Sequence, residues 1–111
     1  MLQKSFRLTS NKEYNQVYNH GKRFTGRFIL VFIRENALNN NRFGIVTSKK
    51  IGKAVTRNLV KRRIRAIIAG NMDRFHGHND VVLVARYNTG EAPYHLLEKD
   101  VLTVLRKAGL C

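Results

Sequence analysis

Residues 48–65 read SKKIGKAVTRNLVKRRIR, and this stretch organises the rest of the chain. It carries eight Lys or Arg residues and no acidic residue. The acid-free zone extends from Asn36 to Met72 and holds nine basic residues, in a 111-residue chain with a formal net charge of +14. Concentrated charge of one sign repels itself and favours a polyanionic partner. The pattern therefore predicts contact with nucleic acid, with an anionic membrane surface as the second possibility.

The second half of this stretch has the period of an amphipathic helix that begins within about two residues of Thr56 and ends near Gly70. Rotation at roughly 100° per residue places four aliphatic side chains on one side of the helix. These are Val60, Ile64, Ile67 and Ile68. The adjoining face, named here the basic ladder, consists of Arg57, Asn58, Lys61, Arg62 and Arg65. A solvated helix face is the simpler interpretation, but no acidic residue at four-residue spacing balances these cations, so we expect the ladder to contact phosphates.

Two further helices are indicated by residues that start or end helices. Residues 1–9 are expected to form an extended lead-in to the first of them. Ser10 and Glu13 have the spacing of a capping box, which predicts a helix that runs to about residue 19. Pro93 suits a first helical position and Gly109 an end, so a final helix is predicted between them.

The strands complete a single α+β domain over residues 1–111. Residues 22–33 are strand-like, with Gly26 as a possible bend or bulge. Because residues 28–33 are apolar on both faces, we expect a central position in the sheet. Residues 42–47 are predicted to run antiparallel to this strand, and residues 81–85 to lie parallel beside them after a crossover through the basic helix. The chain order is helix, two or three strands, helix, strand, helix.

The aromatic residues of the first helix and the first long strand form a second candidate site. Tyr14 and Tyr18 fall on one helix face, and Phe28 and Phe32 are placed on one strand face. Packing in the core is the simpler interpretation. The functional alternative is a stacking surface for single-stranded nucleic acid, where each stacked base contributes about 1–3 kcal/mol.

The sequence offers no catalytic or metal-binding constellation. The seven acidic residues are scattered, and Glu98 and Asp100 are two positions apart on a helix and so do not share a face. His76 and His78 are two ligands without a third, so no metal site is predicted. Cys111 is the only cysteine, and no apolar signal or membrane-spanning segment is visible. These features predict a cytoplasmic protein without catalytic residues of its own.

Residues 44–65, GIVTSKKIGKAVTRNLVKRRIR, resemble the signature of the bacterial ribonuclease P protein subunit family. The family hallmark is an RNxxKRxxR core that follows SKKIGxAVxRN, and this core coincides with the five residues of the basic ladder. The similarity extends to the Arg7-Leu8 pair and to Arg27, which opens the apolar strand. It covers essentially residues 6–108.

The resemblance implies a fold and an activity. The fold would be an αβββαβα two-layer sandwich with a left-handed βαβ crossover, as in the second domain of ribosomal protein S5. The protein would be the subunit of an endoribonuclease that removes the 5′ leader from precursor tRNA with Mg²⁺. Its partners would be a catalytic RNA, which carries the hydrolysis, and precursor tRNA, with no membrane and no stable protein partner.

The resemblance also assigns the two candidate sites. It raises base stacking above core packing and implies a leader cleft formed by Tyr14, Tyr18, Arg27 and Phe32. The alternative function is a ribosomal or other structural RNA-binding protein without a role in cleavage. An autonomous nuclease is a third possibility and would cleave without RNA. The residues expected to contact the catalytic RNA are Lys49, Lys50, Lys53, Arg57, Asn58, Lys61, Arg62 and Arg65.

Overall fold

The computed structural model describes residues 3–111 as a four-stranded mixed sheet with three helices. This confirms the predicted αβββαβα order, and residues 1 and 2 of the predicted lead-in lie outside the described part. Within residues 3–111, no helix is long and apolar enough to cross a membrane. The elements are α1 (Asn11–His20), β1 (Lys22–Thr25), β2 (Ile29–Glu35), β3 (Arg42–Val46), α2 (Ala54–Gly70), β4 (Asn79–Ala85) and α3 (Tyr94–Lys107).

Helix α1 begins with the predicted capping box. The Ser10 hydroxyl accepts a hydrogen bond from the Glu13 backbone N–H at 3.2 Å, and the Glu13 carboxylate accepts one from the Ser10 N–H at 3.2 Å. Two of the free N–H groups at the helix start are thereby satisfied. The lead-in before the helix is not fully extended, because residues 4–6 form a 3₁₀ turn. Arg7 then forms a parallel bridge to Phe43.

The predicted strand over residues 22–33 is in fact a hairpin of β1 and β2. Gly26 lies in a complete chain reversal rather than a bulge, and its N–H donates to the Ile29 carbonyl at 2.7 Å. The Asp100 carboxylate of α3 holds this reversal, because it accepts from the backbone N–H groups of Arg27 and Phe28 at 2.9 and 2.8 Å. The division into two strands therefore depends on a residue more than 70 positions away in the sequence.

The strand order β1-β2-β4-β3 confirms a central position for β2. Strand β3 runs antiparallel to β2 as predicted, but the two strands are not neighbours, because β4 lies between them. The parallel pairing of β3 with β4 is confirmed, with Phe43 opposite Val81 and Ile45 opposite Leu83. Strand β3 is thus an edge strand, and the chain returns from it through α2 to the centre of the sheet.

The two faces of the sheet are covered unequally. Helices α2 and α3 cover one face and enclose the main core, in which Ile29, Val31 and Leu83 are fully buried. Helix α1 lies on the opposite face over a small cluster centred on Val17 and Val82. The two predicted layers are therefore the sheet with α2 and α3, and α1 adds partial cover on the other side. This partial cover leaves a cleft between α1 and the sheet.

Phe28 was predicted on the same strand face as Phe32, and this prediction is wrong. Phe28 precedes β2 in the chain reversal and is buried in the main core under α3. Phe32 packs against the α1 cluster on the opposite face. The alternation of side chains holds only within a strand, so it does not extend into the turn.

Candidate nucleic-acid interface

The basic ladder lies on the side of α2 that faces away from the main core. Asn58 and Arg62 are exposed, and Arg57, Lys61 and Arg65 are half-buried along the flanks of the apolar stripe. The predicted phase of the helix is confirmed, because the four predicted aliphatic positions are the buried ones. These are Val60, Ile64, Ile67 and Ile68.

The ladder has no acidic partner within the described residues. The ion pairs found in residues 3–111 join Arg42 to Glu13 and Asp80, and His78 to Glu35. None of these pairs involves α2. Cations on a folded helix without intramolecular counter-charges form the electrostatic footprint expected of a phosphate-binding surface.

The loop before α2 extends this cationic surface. Lys49 and Lys50 lie in a short 3₁₀ turn and Lys53 directly precedes the helix, and all three side chains are exposed. Gly52 has a φ of 143°, a conformation that side-chain-bearing residues rarely adopt. Arg57 donates from Nη1 to the Gly52 carbonyl at 2.9 Å and so fixes the loop to the helix. Arg57 therefore has a structural role as well as a predicted role in RNA binding.

Three of the four predicted cleft residues come together between α1 and the sheet. Tyr18 and Phe32 are in edge-to-face contact, with ring centroids 5.0 Å apart and an interplanar angle of 88°. The Tyr18 side chain is 36% exposed and so remains available to a ligand. We name Tyr14, Tyr18 and Phe32 the aromatic cleft. An adjoining cavity of about 250 Å³ is lined by Asn11, Tyr14, Asn15, Tyr18 and Val46.

Tyr14 is held closely against β3 at the inner end of this cleft. Its ring occupies the space above Gly44, where any side chain would collide with the ring atoms. Burial raises the pKa of both Tyr14 and Tyr18. Both phenols therefore stay protonated at neutral pH and can donate hydrogen bonds.

Arg27 was predicted in the same cleft, and the structure does not bring it there. Its guanidinium carbon lies 4.9 Å from the centre of the Phe28 ring, and its surroundings include Lys99 and Thr103 of α3. Arg27 therefore lies on the α3 side of the hairpin, away from α1. The chain reversal at Gly26 is the cause, because it removes Arg27 from the alternating pattern of β2.

The carboxylates nearest the cleft are engaged in a partly buried ion network. Arg42 binds Asp80 through Nε and Nη2 at 2.9 Å each and contacts Glu13 through Nη1. Burial raises the pKa of Glu13, but hydrogen bonds from the Thr9 and Ser10 backbones and from Arg42 outweigh it and lower the pKa to about 2. Glu13 thus stays charged at neutral pH and is a poor proton acceptor.

Asp100 and His78 also have structural contacts. Asp100 accepts the two backbone N–H groups of the chain reversal. His78 Nδ1 lies 2.6 Å from the Asn36 carbonyl, and its Nε2 lies 3.6 Å from the Glu35 carboxylate. In the part of the chain that the structure describes, no three His, Cys, Asp or Glu side chains are grouped closely enough to hold a metal ion.

Sequence reasoning missed the Arg42 network and the position of Arg7. Arg42 opens β3 and its partner Asp80 lies directly opposite it on β4, so the pairing follows from the strand register. That register could not be predicted from the sequence, although Arg42 and Asp80 could each be recognised as a charged residue at the start of a strand. Arg7 is placed beside β3 by the parallel bridge to Phe43.

This small α+β domain combines an acid-free basic helix with a separate aromatic cleft. Both are features of nucleic-acid-binding domains. The family model described as Ribonuclease P matches residues 2–109. The chain therefore belongs to the ribonuclease P protein family. It is 46% identical to the ribonuclease P protein component of Syntrophomonas wolfei, over 99% of this chain and 92% of that protein. It is 37% identical to that of Clostridium botulinum strain Loch Maree, over 96% and 97%.

Solved structures of the same family share the fold. The RNase P protein of Staphylococcus aureus superposes with a TM-score of 0.89 at 27% identity, covering 96% of this chain and 98% of that one. The RNase P protein from Thermotoga maritima gives a TM-score of 0.84 at 27% identity, covering 91% and 96%. The predicted α+β fold class is confirmed.

Proposed function

We propose that this protein is the protein subunit of a ribonuclease P holoenzyme that removes the 5′ leader of precursor tRNA in the cytoplasm. In this proposal a catalytic RNA carries the hydrolysis, and the protein binds both that RNA and the leader. The observation that carries the proposal is a basic ladder without acidic partners in residues 3–111 on one side of the molecule and an accessible aromatic cleft on another, in a chain of this family.

The basic ladder supports a contact with the catalytic RNA. Its side chains and the three lysines before α2 form a continuous cationic stretch of the chain without acidic partners in residues 3–111. Arginine presents a planar fork that binds phosphate through two hydrogen bonds, which suits a structured RNA surface. Each neutralised phosphate also releases counterions, so affinity should fall steeply with salt.

The aromatic cleft supports a contact with the leader. Tyr18 is accessible while Phe32 and Tyr14 back it, so a base can stack on a wall that is already in place. The leader is present in the precursor and absent from the product. Binding it therefore favours the substrate over mature tRNA without any chemical step by the protein.

Mg²⁺, which the family resemblance implies, does not fit the protein side of this site. The ion prefers an octahedral set of oxygen ligands. Glu13 and Asp80 are bound to Arg42, and the ladder and cleft present cations, amides and aromatic rings. We therefore assign Mg²⁺ to the RNA subunit and derive no step of the protein through it.

Cleavage of precursor tRNA at low Mg²⁺ tests the proposed function. We expect activity when the catalytic RNA and the protein are mixed, and little with either alone, because the cations of the protein replace part of the Mg²⁺ that screens the RNA phosphates. Cleavage by the protein alone would instead identify an autonomous nuclease. Absence of any enhancement would favour a structural RNA-binding protein.

Substitution of Tyr18 tests the role of the cleft. Tyr18→Ala should weaken holoenzyme binding of precursor tRNA by roughly 5- to 150-fold, because one base stack contributes about 1–3 kcal/mol. Mature tRNA should bind nearly as before. Equilibrium binding of both tRNAs measures the difference. The matched control is Tyr87→Ala, since Tyr87 is 70% exposed and lies outside the cleft. An equal loss for precursor and mature tRNA would assign Tyr18 to packing alone.

A further inference from the structure

A small pocket joins the aromatic cleft to the basic ladder at the edge of β3. Three functional side chains line it, one each from the lead-in, α1 and α2: Arg7, Tyr14 and Arg65. Its floor is formed by β3 around Gly44 and Ile45. Arg65 reaches this edge from the opposite face of the sheet, so the pocket lies where the two predicted RNA surfaces meet.

The fold positions the Tyr14 and Arg65 side chains and the backbone of Arg7, whose side chain is exposed. The Leu8 N–H donates to the Phe43 carbonyl at 2.9 Å and the Leu8 side chain is buried, which fixes Arg7 beside β3. Tyr14 is held by its close packing on Gly44. Arg65 is half-buried and lies one turn after Lys61 on a helix whose other side is anchored in the main core. Tyr14 and Arg65 are therefore in place before any ligand arrives, and Arg7 is anchored beside them through its backbone.

The pocket is positively charged. Neither Arg7 nor Arg65 has an acidic partner in residues 3–111, and the neighbouring Glu13 is bound to Arg42. Burial and, to a smaller extent, the Glu13 charge raise the pKa of Tyr14, while the Ile45 backbone and the charge of Arg65 act in the opposite direction. The Tyr14 hydroxyl is thus close enough to the Arg65 guanidinium for an electrostatic interaction, and it remains a hydrogen-bond donor.

The size of the pocket decides which ligand it can take. Its volume is about 130 Å³. This is room for only about four water molecules at roughly 30 Å³ each, and far below the roughly 300 Å³ at which small-molecule sites begin. A tetrahedral phosphate group fits such a space, and two guanidinium groups with a hydroxyl donor match its charge and its oxygen acceptors.

We propose that Arg7, Arg65 and the Tyr14 hydroxyl bind one backbone phosphate of RNA at the junction of the aromatic cleft and the basic ladder. The pocket adds Arg7 to the functional residues and gives Arg65 a place in a specific phosphate site. That the phosphate belongs to RNA rests on the proposed function. Both the leader and the catalytic RNA carry this group, and the experiment below separates them.

The test combines protein variants with neutralised phosphates in the precursor-tRNA leader. Single leader phosphates are replaced in turn by uncharged methylphosphonates, and holoenzyme affinity for precursor tRNA is measured with the wild type, Arg7→Ala and Tyr14→Phe. The affinity of each protein for the catalytic RNA and cleavage by the wild-type holoenzyme are measured in parallel. Arg7→Ala should weaken precursor-tRNA binding about tenfold and Tyr14→Phe about threefold, because hydrogen bonds to a charged group are the stronger kind. The control is Arg106→Ala, since Arg106 is an exposed cation at the end of α3. Thermal unfolding verifies that each variant is folded.

The outcomes separate the two sources of the phosphate. If the leader supplies it, one methylphosphonate position costs about tenfold in the wild type and nothing further in Arg7→Ala. If the catalytic RNA supplies it, no leader position responds, and Arg7→Ala instead weakens the protein–RNA complex about tenfold. If Arg7→Ala and Tyr14→Phe both bind RNA as tightly as Arg106→Ala does, the proposed phosphate site is wrong. Because wild-type cleavage is measured alongside, that result leaves the proposed function standing.

Discussion

Replacing Arg42 with Met is expected to lower the free energy of unfolding by about 2–4 kcal/mol. Arg42 is the common partner of Glu13 and Asp80, and the three side chains are only 21%, 25% and 13% exposed. Removing the guanidinium leaves two carboxylates near each other with reduced access to water, which costs more than the ion pairs themselves contribute. Glu13 also caps α1, so the same change should loosen the helix that carries Tyr14 and Tyr18.

Urea unfolding of the free protein measures this effect. The matched control is Arg34→Met, because Arg34 lies on β2 and faces the same side of the sheet, and within residues 3–111 its side chain donates only to Gln16, at 3.0 Å. We expect the control to lose less than about 1 kcal/mol. Adding Glu13→Gln and Asp80→Asn to Arg42→Met should recover part of the loss. Equal destabilisation by the Arg42 and Arg34 variants would contradict a special role for the network.

The second large effect is expected in RNA affinity. Lys61→Ala combined with Arg62→Ala should weaken binding of the catalytic RNA about 10- to 100-fold near physiological salt, because two phosphate contacts are lost. These two residues are a cleaner choice than Arg57, which also holds the Gly52 loop. Neither side chain makes a hydrogen bond or ion pair within residues 3–111, so the fold should be unaffected.

The salt dependence of binding distinguishes specific contacts from general charge. The slope of the logarithm of affinity against the logarithm of salt should become shallower by about 1.4–1.8 for the double variant. The matched control is Arg106→Ala with Lys107→Ala, which removes the same two charges from the exposed end of α3. A control that weakens binding as much as the ladder variant would show that only the net charge matters.

Features set by neighbours in the sequence were predictable, and features set by distant residues were not. The capping box of Ser10 and Glu13 and the apolar stripe of α2 depend on residues three or four positions apart, and both are confirmed. The chain reversal at Gly26 depends on Asp100. The pattern of residues 22–33 is compatible with one long strand, and it carries no information about the Asp100 carboxylate on α3.

The same distinction applies to the candidate sites. The basic ladder lies on one element, so helical rotation alone predicts which side chains share a face. The aromatic cleft requires α1 to lie over β2, and the pocket of Arg7, Tyr14 and Arg65 requires three elements around the edge of β3. Both arrangements depend on the pairing of β4 with β3. The same pairing places Arg42 opposite Asp80.

That pairing has a consequence for the newly synthesised chain. Strand β3 ends at Val46 and its neighbour β4 begins at Asn79, so 32 residues must be added before the sheet can start to close. At translation rates of about 5–20 residues per second, the edges of β2 and β3 that pair with β4 stay unpaired for roughly 2–6 seconds. The intervening segment is the one with the concentrated positive charge, and like-charged chains repel each other. The residues predicted to bind RNA thus also discourage association between nascent chains while the central strand is missing.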